Sequence, residues 1–358
     1  MRSLGPLILR ADATPQMGAG HVMRCLALAQ AWRDRGGRAV FALTAAGDAL
    51  AARLESEKMG IIRLGAEPGS VGDAEQTATL AAQIGASWTV VDGYHFHSSY
   101  HRALKAAGIR LLAIDDYGSA ERCSADVVLN QNLRAEEGWY PDREPYTRLL
   151  LGTSYVLLRR EFLSWQSWER RVAKEARRLL VTLGGSDSGR AIVQVAEGLR
   201  QLSIDDLEAV LVTGAENAHA DELKAIVDGA RFSISLTKNV VDTSPLMAWA
   251  DVAIIAAGGT LWELLYMQSA VLSYARNPFQ EMIVGELDRQ RTVVGLGDLG
   301  RVAPEQLAAE VEATCRSEAE RKSMAASGRT LVDGKGAARV VAALAEKGES
   351  VGWKSACS

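Results

Sequence analysis

The fold of the first part of this chain follows from one stretch of sequence, Gly18-Ala19-Gly20-His21-Val22-Met23-Arg24-Cys25-Leu26-Ala27-Leu28-Ala29. It follows the apolar run 6–11, which is typical of a buried strand, and Val22, Leu26 and Ala29 recur at helical spacing. The order strand, glycine-rich turn, helix therefore places His21 at or near a helix N-terminus. Unsatisfied N–H groups and the positive end of the helix dipole oppose protonation of an imidazole there, so His21 is a candidate general base.

The same stretch is compatible with two other interpretations. In an ordinary strand-to-helix turn, His21 would cap the helix or face solvent. A dinucleotide-binding turn fits less well, because Met23 stands where the third glycine of G-x-G-x-x-G would be. In the catalytic interpretation, Gly18 and Gly20 let a substrate approach the backbone closely.

Length and composition indicate a globular protein of two domains. The 358 residues are 48% hydrophobic and 23% charged, and the formal net charge of −4 disfavours a nucleic-acid partner. The cysteines have no paired spacing typical of zinc or a disulfide framework, and no apolar run approaches membrane-spanning length. We therefore expect a cytoplasmic protein with neither a nucleic-acid nor a membrane partner. The oligomeric state stays open, with a monomer among the options.

Strand-like and helix-like segments alternate along the chain, which predicts βαβ units and parallel sheets covered on both faces. In the first half the predicted strands are 7–11, 39–43, 60–64, 88–92, 110–114 and 126–130, and the predicted helices are 21–35, 48–58, 73–84 and 99–107. In the second half the strands are 178–183, 207–213, 232–236, 252–256 and 270–273, and the helices are 190–202, 218–229, 244–250 and 261–267. A last helical region covers 304–344, with a glycine break near Gly334 and Gly336, and 149–158 is a candidate strand that closes the first sheet.

This alternation predicts an N-terminal Rossmann-like domain over 1–158, a C-terminal Rossmann-like domain over 159–345 and a flexible tail over 346–358. Two such halves imply a central cleft that the carboxyl ends of both parallel sheets face. Ligands of open α/β sheets bind at those ends, so residues that directly follow strands are the best functional candidates.

In the first half, carboxylates follow several predicted strands. Asp12, Asp92 and the pair Asp115-Asp116 all occupy such positions, and Tyr94 lies two residues after Asp92. Adjacent carboxylates repel, so one member of such a pair often has an arginine partner. In the functional interpretation Asp92, Tyr94 and Asp115 line one wall of the cleft and orient a sugar or His21. In the alternative, Asp92 and Asp115 cap the following helices or turns.

Two histidines in the same loop raise the question of a metal. His95 and His97 are two residues apart and would project from one face of an extended segment. No further His, Cys or carboxylate has a recognised ligand spacing relative to them, so we expect no metal site.

In the second half, two glycine-rich loops follow predicted strands. The run 179–183 leads into Gly184-Gly185-Ser186-Asp187, and 252–256 leads into Ala257-Gly258-Gly259-Thr260. Backbone N–H groups at such a helix N-terminus form an anion site, and Glu263 is placed to accept hydrogen bonds from a ribose diol. Alternatively, Thr260 and Glu263 form a capping box. Neither loop has the lysine of a Walker A motif, which disfavours ATP or GTP hydrolysis.

These segments occur in a fixed order: Gly18-x-Gly20-His21-x-x-Arg24, Asp92-x-Tyr94, Asp115-Asp116-Tyr117, Leu129-Asn130-Gln131-Asn132, Gly184-Gly185-Ser186-Asp187 and Gly258-Gly259-Thr260-x-x-Glu263. In that order they resemble the PseG family, the UDP-2,4-diacetamido-2,4,6-trideoxy-β-L-altropyranose hydrolases of pseudaminic acid biosynthesis. The resemblance implies an α/β protein of GT-B architecture, with two Rossmann-like domains and UDP bound mainly by the second. It also implies metal-independent hydrolysis without a cofactor, in which water attacks the anomeric carbon with inversion.

The resemblance also implies roles for individual residues. The family's catalytic histidine falls on His21, and Asp12 or Tyr94 would orient water or the sugar. Asn239-Val240 would border the uracil, Gly259 and Thr260 would hold the β-phosphate, and Glu263 would bind the ribose. The full set of predicted substrate-binding residues is Gly18, Gly20, Arg24, Asp92, Asp115, Gly185, Asn239, Val240, Gly258, Gly259, Thr260 and Glu263.

The chain departs from the family in one loop of the second half. Arg276-Asn277-Pro278-Phe279-Gln280 stands where the family has an Asn-Gln segment, in a loop that would face the sugar and pyrophosphate. The exact sugar therefore stays open. A UDP-sugar-dependent glycosyltransferase on the same scaffold and a catalytically silent nucleotide-sugar binding protein remain alternatives.

Overall fold

The computed structural model describes residues 4–14, 17–118, 122–184, 190–214 and 219–346. The chain divides into two compact units, one made of Met1–Arg160 together with Gly334–Ser358, the other of Glu161–Asp333. The described residues 334–346 thus belong to the first unit, whereas the sequence prediction assigned everything from 159 to 345 to the C-terminal domain. The tail predicted to be flexible lies outside the described residues, apart from Glu346.

The first unit is built around a parallel sheet. Its strands are β1 Pro6–Ala11, β2 Arg38–Leu43, β3 Gly60–Arg63, β4 Trp88–Asp92, β5 Leu111–Ile114, β6 Val127–Asn130 and β7 Arg148–Leu151. They lie in the order β3-β2-β1-β4-β5-β6-β7. Leu7, Ile8 and Leu9 are fully buried, as expected for a parallel strand covered on both faces. The chain order reverses between the neighbours β1 and β4, and such a switch point opens a crevice at the carboxyl ends of the two strands.

Helices connect these strands. They are α1 Gly20–Asp34, α2 Asp48–Ser56, α3 Val71–Ile84 and α4 Ser98–Ala106, with short 3₁₀ helices at Glu137–Trp139 and Thr153–Tyr155. The Ser70 hydroxyl caps α3 by accepting from the Asp73 N–H, and α3 ends at Gly85, whose left-handed φ of 61° favours glycine. A short helix, α5 Arg160–Leu163, leads into the second unit.

The second unit repeats the arrangement with six strands. They are β8 Arg178–Thr182, β9 Glu208–Thr213, β10 Ser233–Lys238, β11 Val252–Ala256, β12 Ala270–Ala275 and β13 Val294–Asp298, in the parallel order β10-β9-β8-β11-β12-β13. The helices are α6 Arg190–Leu199, α7 Ala220–Asp228, α8 Ser244–Trp249, α9 Gly259–Tyr266, α10 Pro278–Arg289, α11 Pro304–Arg316 and α12 Glu318–Leu331, with a 3₁₀ turn at Leu299–Arg301. Here the chain order reverses between β8 and β11, so the switch point joins the loops that follow those two strands.

The last described helix, α13 Gly336–Glu346, packs on the first unit. Val340 and Leu344 are fully buried in the same cluster as residues of β1 and α1. The Trp88 indole donates to the Leu344 carbonyl oxygen at 3.2 Å. Gly336 lies so close to the backbone of Val156 that a Cβ would collide with it, and this contact fixes where α13 begins.

The strand and helix pattern agrees with the predictions for most elements, and three differences have physical causes. β13 was not predicted, because Val294-Gly-Leu-Gly-Asp298 alternates with glycine and lacks an aliphatic run, and α10, which precedes it, was not predicted either. Only Arg148–Leu151 of the candidate strand 149–158 pairs in the sheet, because the chain turns at Gly152, whose φ is 94°. The region 304–344 contains an additional break, because Ser317 caps α12 by accepting from the Glu320 N–H.

No helix within the described ranges is both long and apolar enough to cross a membrane.

Candidate active site

The turn between β1 and α1 has the geometry that its glycines predict. Gly18 has a φ of 71° and donates its N–H to the Thr14 carbonyl oxygen at 2.8 Å. Ala19 is the N-cap residue and offers no side-chain hydrogen bond, so the first N–H groups of α1 receive no side-chain cap. His21 is therefore the second residue of the helix, and it is 7% exposed.

The His21 imidazole is held by a carboxylate from the neighbouring strand. Its Nδ1 lies 2.7 Å from Asp92 Oδ1, at the end of β4. Since a carboxylate only accepts, Nδ1 carries the proton of this hydrogen bond, and in the neutral ring the lone pair resides on Nε2. Arg24 Nη2 lies 3.3 Å from Nδ1, but both are donors, so that approach is not a hydrogen bond. The arrangement leaves Nε2 as the atom that can accept a proton.

Arg24 connects two carboxylates at the switch point of the first sheet. It donates to Asp92 from Nε at 2.6 Å and from Nη2 at 2.7 Å, and to Asp116 from Nη1 at 2.7 Å and Nη2 at 3.1 Å. Burial opposes ionisation of Asp92, but Arg24 and His21 outweigh it and hold the pKa of this carboxyl well below its usual range. Burial also opposes the charge of Arg24, and Asp116 and Asp92 overcome it and raise its pKa.

Tyr94 packs edge-on against His21. The ring centroids are 4.7 Å apart with an interplanar angle of 85°, and the Tyr94 hydroxyl donates to Asp116 Oδ2 at 3.1 Å. The residue is 55% exposed, so one side of it remains open to solvent. Partial burial and the Asp116 carboxylate raise the pKa of Tyr94 above its ordinary value, so its hydroxyl stays neutral and can only donate or accept hydrogen bonds.

Asp12 lies apart from this cluster. It is 1% exposed, and its Oδ1 accepts from the Thr44 N–H and hydroxyl, both at 2.8 Å, and from the Ala45 N–H at 3.0 Å. Its Oδ2 faces Arg10 Nη1 at 2.8 Å and His95 Nε2 at 3.3 Å. Asp12 thus joins a buried network, and Asp92 is the carboxylate that contacts His21.

The adjacent carboxylates of Asp115 and Asp116 have different partners. Asp115 accepts from the N–H groups of Tyr117 and Gly118 and from the Tyr140 hydroxyl at 2.7 Å, which is the turn-capping interpretation. Asp116 is the member with an arginine partner, Arg24. The sequence predicted Asp115 as the substrate-binding member, and Asp116 was left out of the predicted site. The adjacent carboxylates were the available signal, but only the fold shows which one Arg24 reaches.

In the second unit, the loop after β11 leads into α9. Gly258 is the N-cap residue without a side-chain hydrogen bond, and a Cβ at Gly258 or Gly259 would meet nothing within 4 Å. Both glycines are exposed, so the N–H groups at this helix end are open to a ligand. Thr260 is the second residue of α9 and not its N-cap, so the capping box of Thr260 with Glu263 is not formed. Glu263 is half-buried, one turn into the helix.

The other predicted residues of the second unit follow different strands. Asn239 directly follows β10 in a left-handed conformation, with a φ of 53°, and its N–H donates to the Thr213 carbonyl oxygen at 3.3 Å. Val240 is half-buried beside it. Gly185 and the loop it belongs to lie outside the described residues. Gly184, after β8, has a φ of 85°, a conformation that favours glycine.

The segment that departs from the PseG family starts α10. Asn277 caps this helix by accepting from the Gln280 N–H at 2.9 Å. The Gln280 side chain in turn accepts from the Arg276 N–H at 2.9 Å, and the Arg276 guanidinium donates to the Leu183 carbonyl oxygen at the end of β8. Arg276 thus lies at the same carboxyl edge of the sheet as the Gly258 loop, since β8 and β12 both flank β11.

His95 and His97 have different positions in the fold. His95 faces Asp12, and His97 is the N-cap residue of α4 without a side-chain capping bond. In the described part of the chain, no group of three or more His, Cys, Asp or Glu side chains is placed to hold a metal ion.

No protein-family model matches the chain. An uncharacterized protein of Methanocaldococcus jannaschii, MJ1062, is 25% identical over 278 residues, which are 75% of this chain and 55% of that protein. The spore coat polysaccharide biosynthesis protein SpsG of Bacillus subtilis is 29% identical over 200 residues, 55% of this chain and 58% of SpsG. The UDP-2,4-diacetamido-2,4,6-trideoxy-β-L-altropyranose hydrolase of Campylobacter jejuni is 23% identical over 275 residues, 76% of this chain and 92% of the hydrolase. The match spans little more than half of the first two relatives.

Solved structures share the fold over almost the whole chain. MurG of Acinetobacter baumannii has a TM-score of 0.66 at 16% identity, covering 95% of this chain and 99% of MurG. MnaA of S. aureus, solved with UDP, has a TM-score of 0.67 at 11% identity, covering 98% of this chain and 99% of MnaA. At these identities the likeness concerns the fold alone. The chain therefore has the GT-B fold and is similar in sequence to SpsG and to the PseG-like hydrolase, as the resemblance predicted.

Proposed function

We propose that this protein hydrolyses a UDP-linked deoxy-diacetamido sugar, UDP-2,4-diacetamido-2,4,6-trideoxy-β-L-altrose, to the free sugar and UDP with inversion, in pseudaminic acid biosynthesis. One observation carries the proposal: His21 lies at the switch point of a parallel sheet, with Nδ1 bound to a buried carboxylate and Nε2 left to accept a proton. The similarity to the Campylobacter jejuni hydrolase over most of both chains supports the choice of substrate.

In the proposed reaction, His21 Nε2 removes a proton from water as the water oxygen attacks the anomeric carbon. The bond between that carbon and the β-phosphate oxygen breaks, and UDP leaves with the electron pair. A single displacement inverts the configuration. Asp92 stabilises the imidazolium that forms, and Arg24 keeps Asp92 ionised and oriented. The Tyr94 hydroxyl, whose proton is donated to Asp116, would accept a hydrogen bond from water or from the sugar.

The second unit is proposed to hold the nucleotide. The N–H groups of Gly258, Gly259 and Thr260 would receive the β-phosphate and stabilise the charge on the leaving UDP without a metal. Glu263 would accept hydrogen bonds from the ribose, and the backbone of Asn239 and Val240 would border the uracil. The open surroundings of the two glycines support this assignment, because a phosphate needs space beside the backbone.

A UDP-sugar-dependent glycosyltransferase is the second candidate. An acceptor hydroxyl would replace water, and His21 would serve as base in the same way. The likeness to MurG and the match with SpsG fit this candidate as well as they fit the hydrolase.

The deciding experiment measures UDP release from a UDP-sugar panel that includes the diacetamido-trideoxy-altrose, without acceptor, in ¹⁸O-labelled water. Hydrolysis predicts ¹⁸O on the anomeric oxygen of the sugar. It also predicts that an NMR spectrum recorded immediately after the reaction shows the inverted anomer. His21→Ala is the control and should release UDP more slowly by about 10²-fold or more. Tight UDP binding without release would point to the transferase.

A further inference from the structure

Arg276 directly follows β12, and its side chain spans the carboxyl edge of the second sheet. The guanidinium donates to the carbonyl oxygen of Leu183, the residue that follows β8. The strand order β8-β11-β12 places β11 between these two points. Neighbouring strands lie about 4.8 Å apart, so the ends of β8 and β12 are separated by roughly 10 Å. The arginine side chain therefore crosses the end of β11, the strand whose loop leads into α9.

Contacts at both ends define the course of this side chain. The backbone N–H of Arg276 donates to Gln280 Oε1 at 2.9 Å, within the first turn of α10. At the other end, Arg276 Nη2 lies 4.0 Å from the position that a Cβ at Gly184 would take, so the guanidinium lies beside the loop that follows β8. Arg276 is exposed, so a ligand can reach it from solvent. Its positive charge is thus held at the switch point between β8 and β11.

The groups beside this charge suit an anion. Gly258 and Gly259 at the start of α9 are exposed, and the first turn of α9 contains no acidic residue. The N-terminus of α9 also carries the positive end of the helix dipole. In the described segments that directly follow β8, β11 and β12, which are 183–184, 257–260 and 276–277, Arg276 is the one residue with a charged side chain. The guanidinium and the helix end therefore favour negative charge at the same place.

A diphosphate matches these two positive groups, because it carries negative charge on both of its phosphates. A guanidinium is always charged, and its planar fork of N–H donors fits phosphate oxygens. We propose that Arg276 binds the diphosphate of the nucleotide sugar together with the N–H groups of Gly259 and Thr260. This role rests on the proposed function and adds a residue to the predicted site. As the bond to the anomeric carbon breaks, Arg276 stabilises the charge that develops on the leaving diphosphate.

The first test measures UDP binding by calorimetry in the parent and in Arg276→Ala. The variant should bind UDP about tenfold or more weakly, because it loses a hydrogen bond between charged groups. Uridine lacks phosphates, so its affinity, measured by ligand-observed NMR, should stay within about twofold. Arg276→Lys keeps the charge but not the planar fork, so its UDP affinity should lie between those of the parent and Arg276→Ala.

Arg289→Ala is the matched control. Arg289 is the last residue of the same helix, α10, roughly 16 Å from the helix start at about 1.5 Å per residue. Its exposed ion pair with Glu286 contributes little to stability, so UDP affinity should stay within about twofold. An unchanged or increased UDP affinity in folded Arg276→Ala would overturn the role of Arg276, as would an equal loss for uridine and UDP.

A protection experiment on the parent chain keeps the proposal testable if Arg276→Ala fails to fold. Phenylglyoxal modifies exposed guanidinium groups, and mass spectrometry of the peptides gives the rate for each arginine. UDP at a saturating concentration should slow the modification of Arg276 about tenfold and leave that of Arg289 unchanged, whereas uridine should protect neither. The same rate at Arg276 with and without UDP would refute the contact.

The role of Arg276 and the proposed reaction can fail separately. If UDP binding and protection depend on Arg276 but no UDP-sugar is hydrolysed, the diphosphate contact is supported and only the reaction is wrong. If the UDP-sugar is hydrolysed and neither binding nor protection depends on Arg276, only the role of this residue is wrong. A parent chain that binds neither UDP nor inorganic pyrophosphate would contradict both.

Discussion

Replacing Asp92 with Asn removes the charge that holds His21 and Arg24 in place. The buried carboxylate accepts one hydrogen bond from His21 at 2.7 Å and two from Arg24 at 2.6 and 2.7 Å. An asparagine oxygen replaces only part of this set, and the amide N–H groups face other donors. Hydrogen bonds to charged groups contribute about 1.5–3 kcal/mol each to stability, so losing two of them would cost about 3–6 kcal/mol if Arg24 stayed in place. A shift of Arg24 toward Asp116 offsets part of this cost. We expect the free energy of unfolding to fall by about 3 kcal/mol.

The same substitution should lower activity more than the loss of stability explains. Without the carboxylate, nothing fixes the proton on Nδ1, and the tautomer with the proton on Nε2 cannot accept a proton from water. General-base catalysis contributes typically 10²–10⁴-fold, so we expect kcat to fall by about 10²-fold or more in the folded variant. The affinity for UDP should not change, because Asp92 belongs to the first unit and the proposed UDP site to the second.

The assay combines urea unfolding followed by circular dichroism with UDP release at saturating substrate. Asp116→Asn is the matched control: it removes the other carboxylate of Arg24 but keeps the bond between Asp92 and His21. Asp34→Asn, in an exposed pair with Arg160, should change neither quantity measurably. If folded Asp92→Asn kept kcat within threefold of the parent, or if Asp116→Asn lost as much activity, the assigned role of Asp92 would be refuted.

Four further outcomes follow from the structure. His21→Ala should retain UDP affinity and lose about 10²-fold or more in kcat, and retained activity would defeat the general-base role. Glu263→Ala should weaken UDP binding measured by calorimetry, and an unchanged affinity would contradict the ribose contact. Burial opposes ionisation of Asp12, but His95, Arg10 and hydrogen bonds outweigh burial and lower its pKa. The ionised Asp12 therefore stabilises the folded protein above its unfolded pKa of about 3.9, and this stabilisation is lost as the pH falls below that value. Urea midpoints between pH 6 and pH 3 should therefore fall less in Asp12→Asn than in the parent, and parallel curves would contradict this. Gly336→Ala should destabilise the protein by about 2–4 kcal/mol in urea unfolding, because a Cβ collides with the Val156 backbone, and an unchanged midpoint would contradict the position of α13.

The order of strands, turns and helices along the chain could be predicted from its sequence. Buried aliphatic runs such as Trp88–Asp92 and Val252–Ala256 were predicted with the observed bounds, because a parallel strand is apolar on both faces. The glycine turn that places His21 in the first turn of α1 was predicted as well, since Gly18 adopts a conformation that favours glycine. The bounds of these strands and the conformation of this turn depend on residues that are adjacent in sequence.

Which side chains distant in sequence contact one another depends on the packing of the strands and helices. Asp12 and Asp92 both follow or end strands at the switch point, yet Asp92 contacts His21 and Asp12 turns to Arg10, which pairs with Asp73 on α3. The difference arises from the strand order β3-β2-β1-β4, which brings residues more than 60 positions apart together. α13 likewise joins the first unit through a close backbone approach at Gly336 that no local pattern encodes. Contacts of this kind depend on the order of the strands in the sheet and on the packing of the helices, and a pattern of neighbouring residues does not specify them.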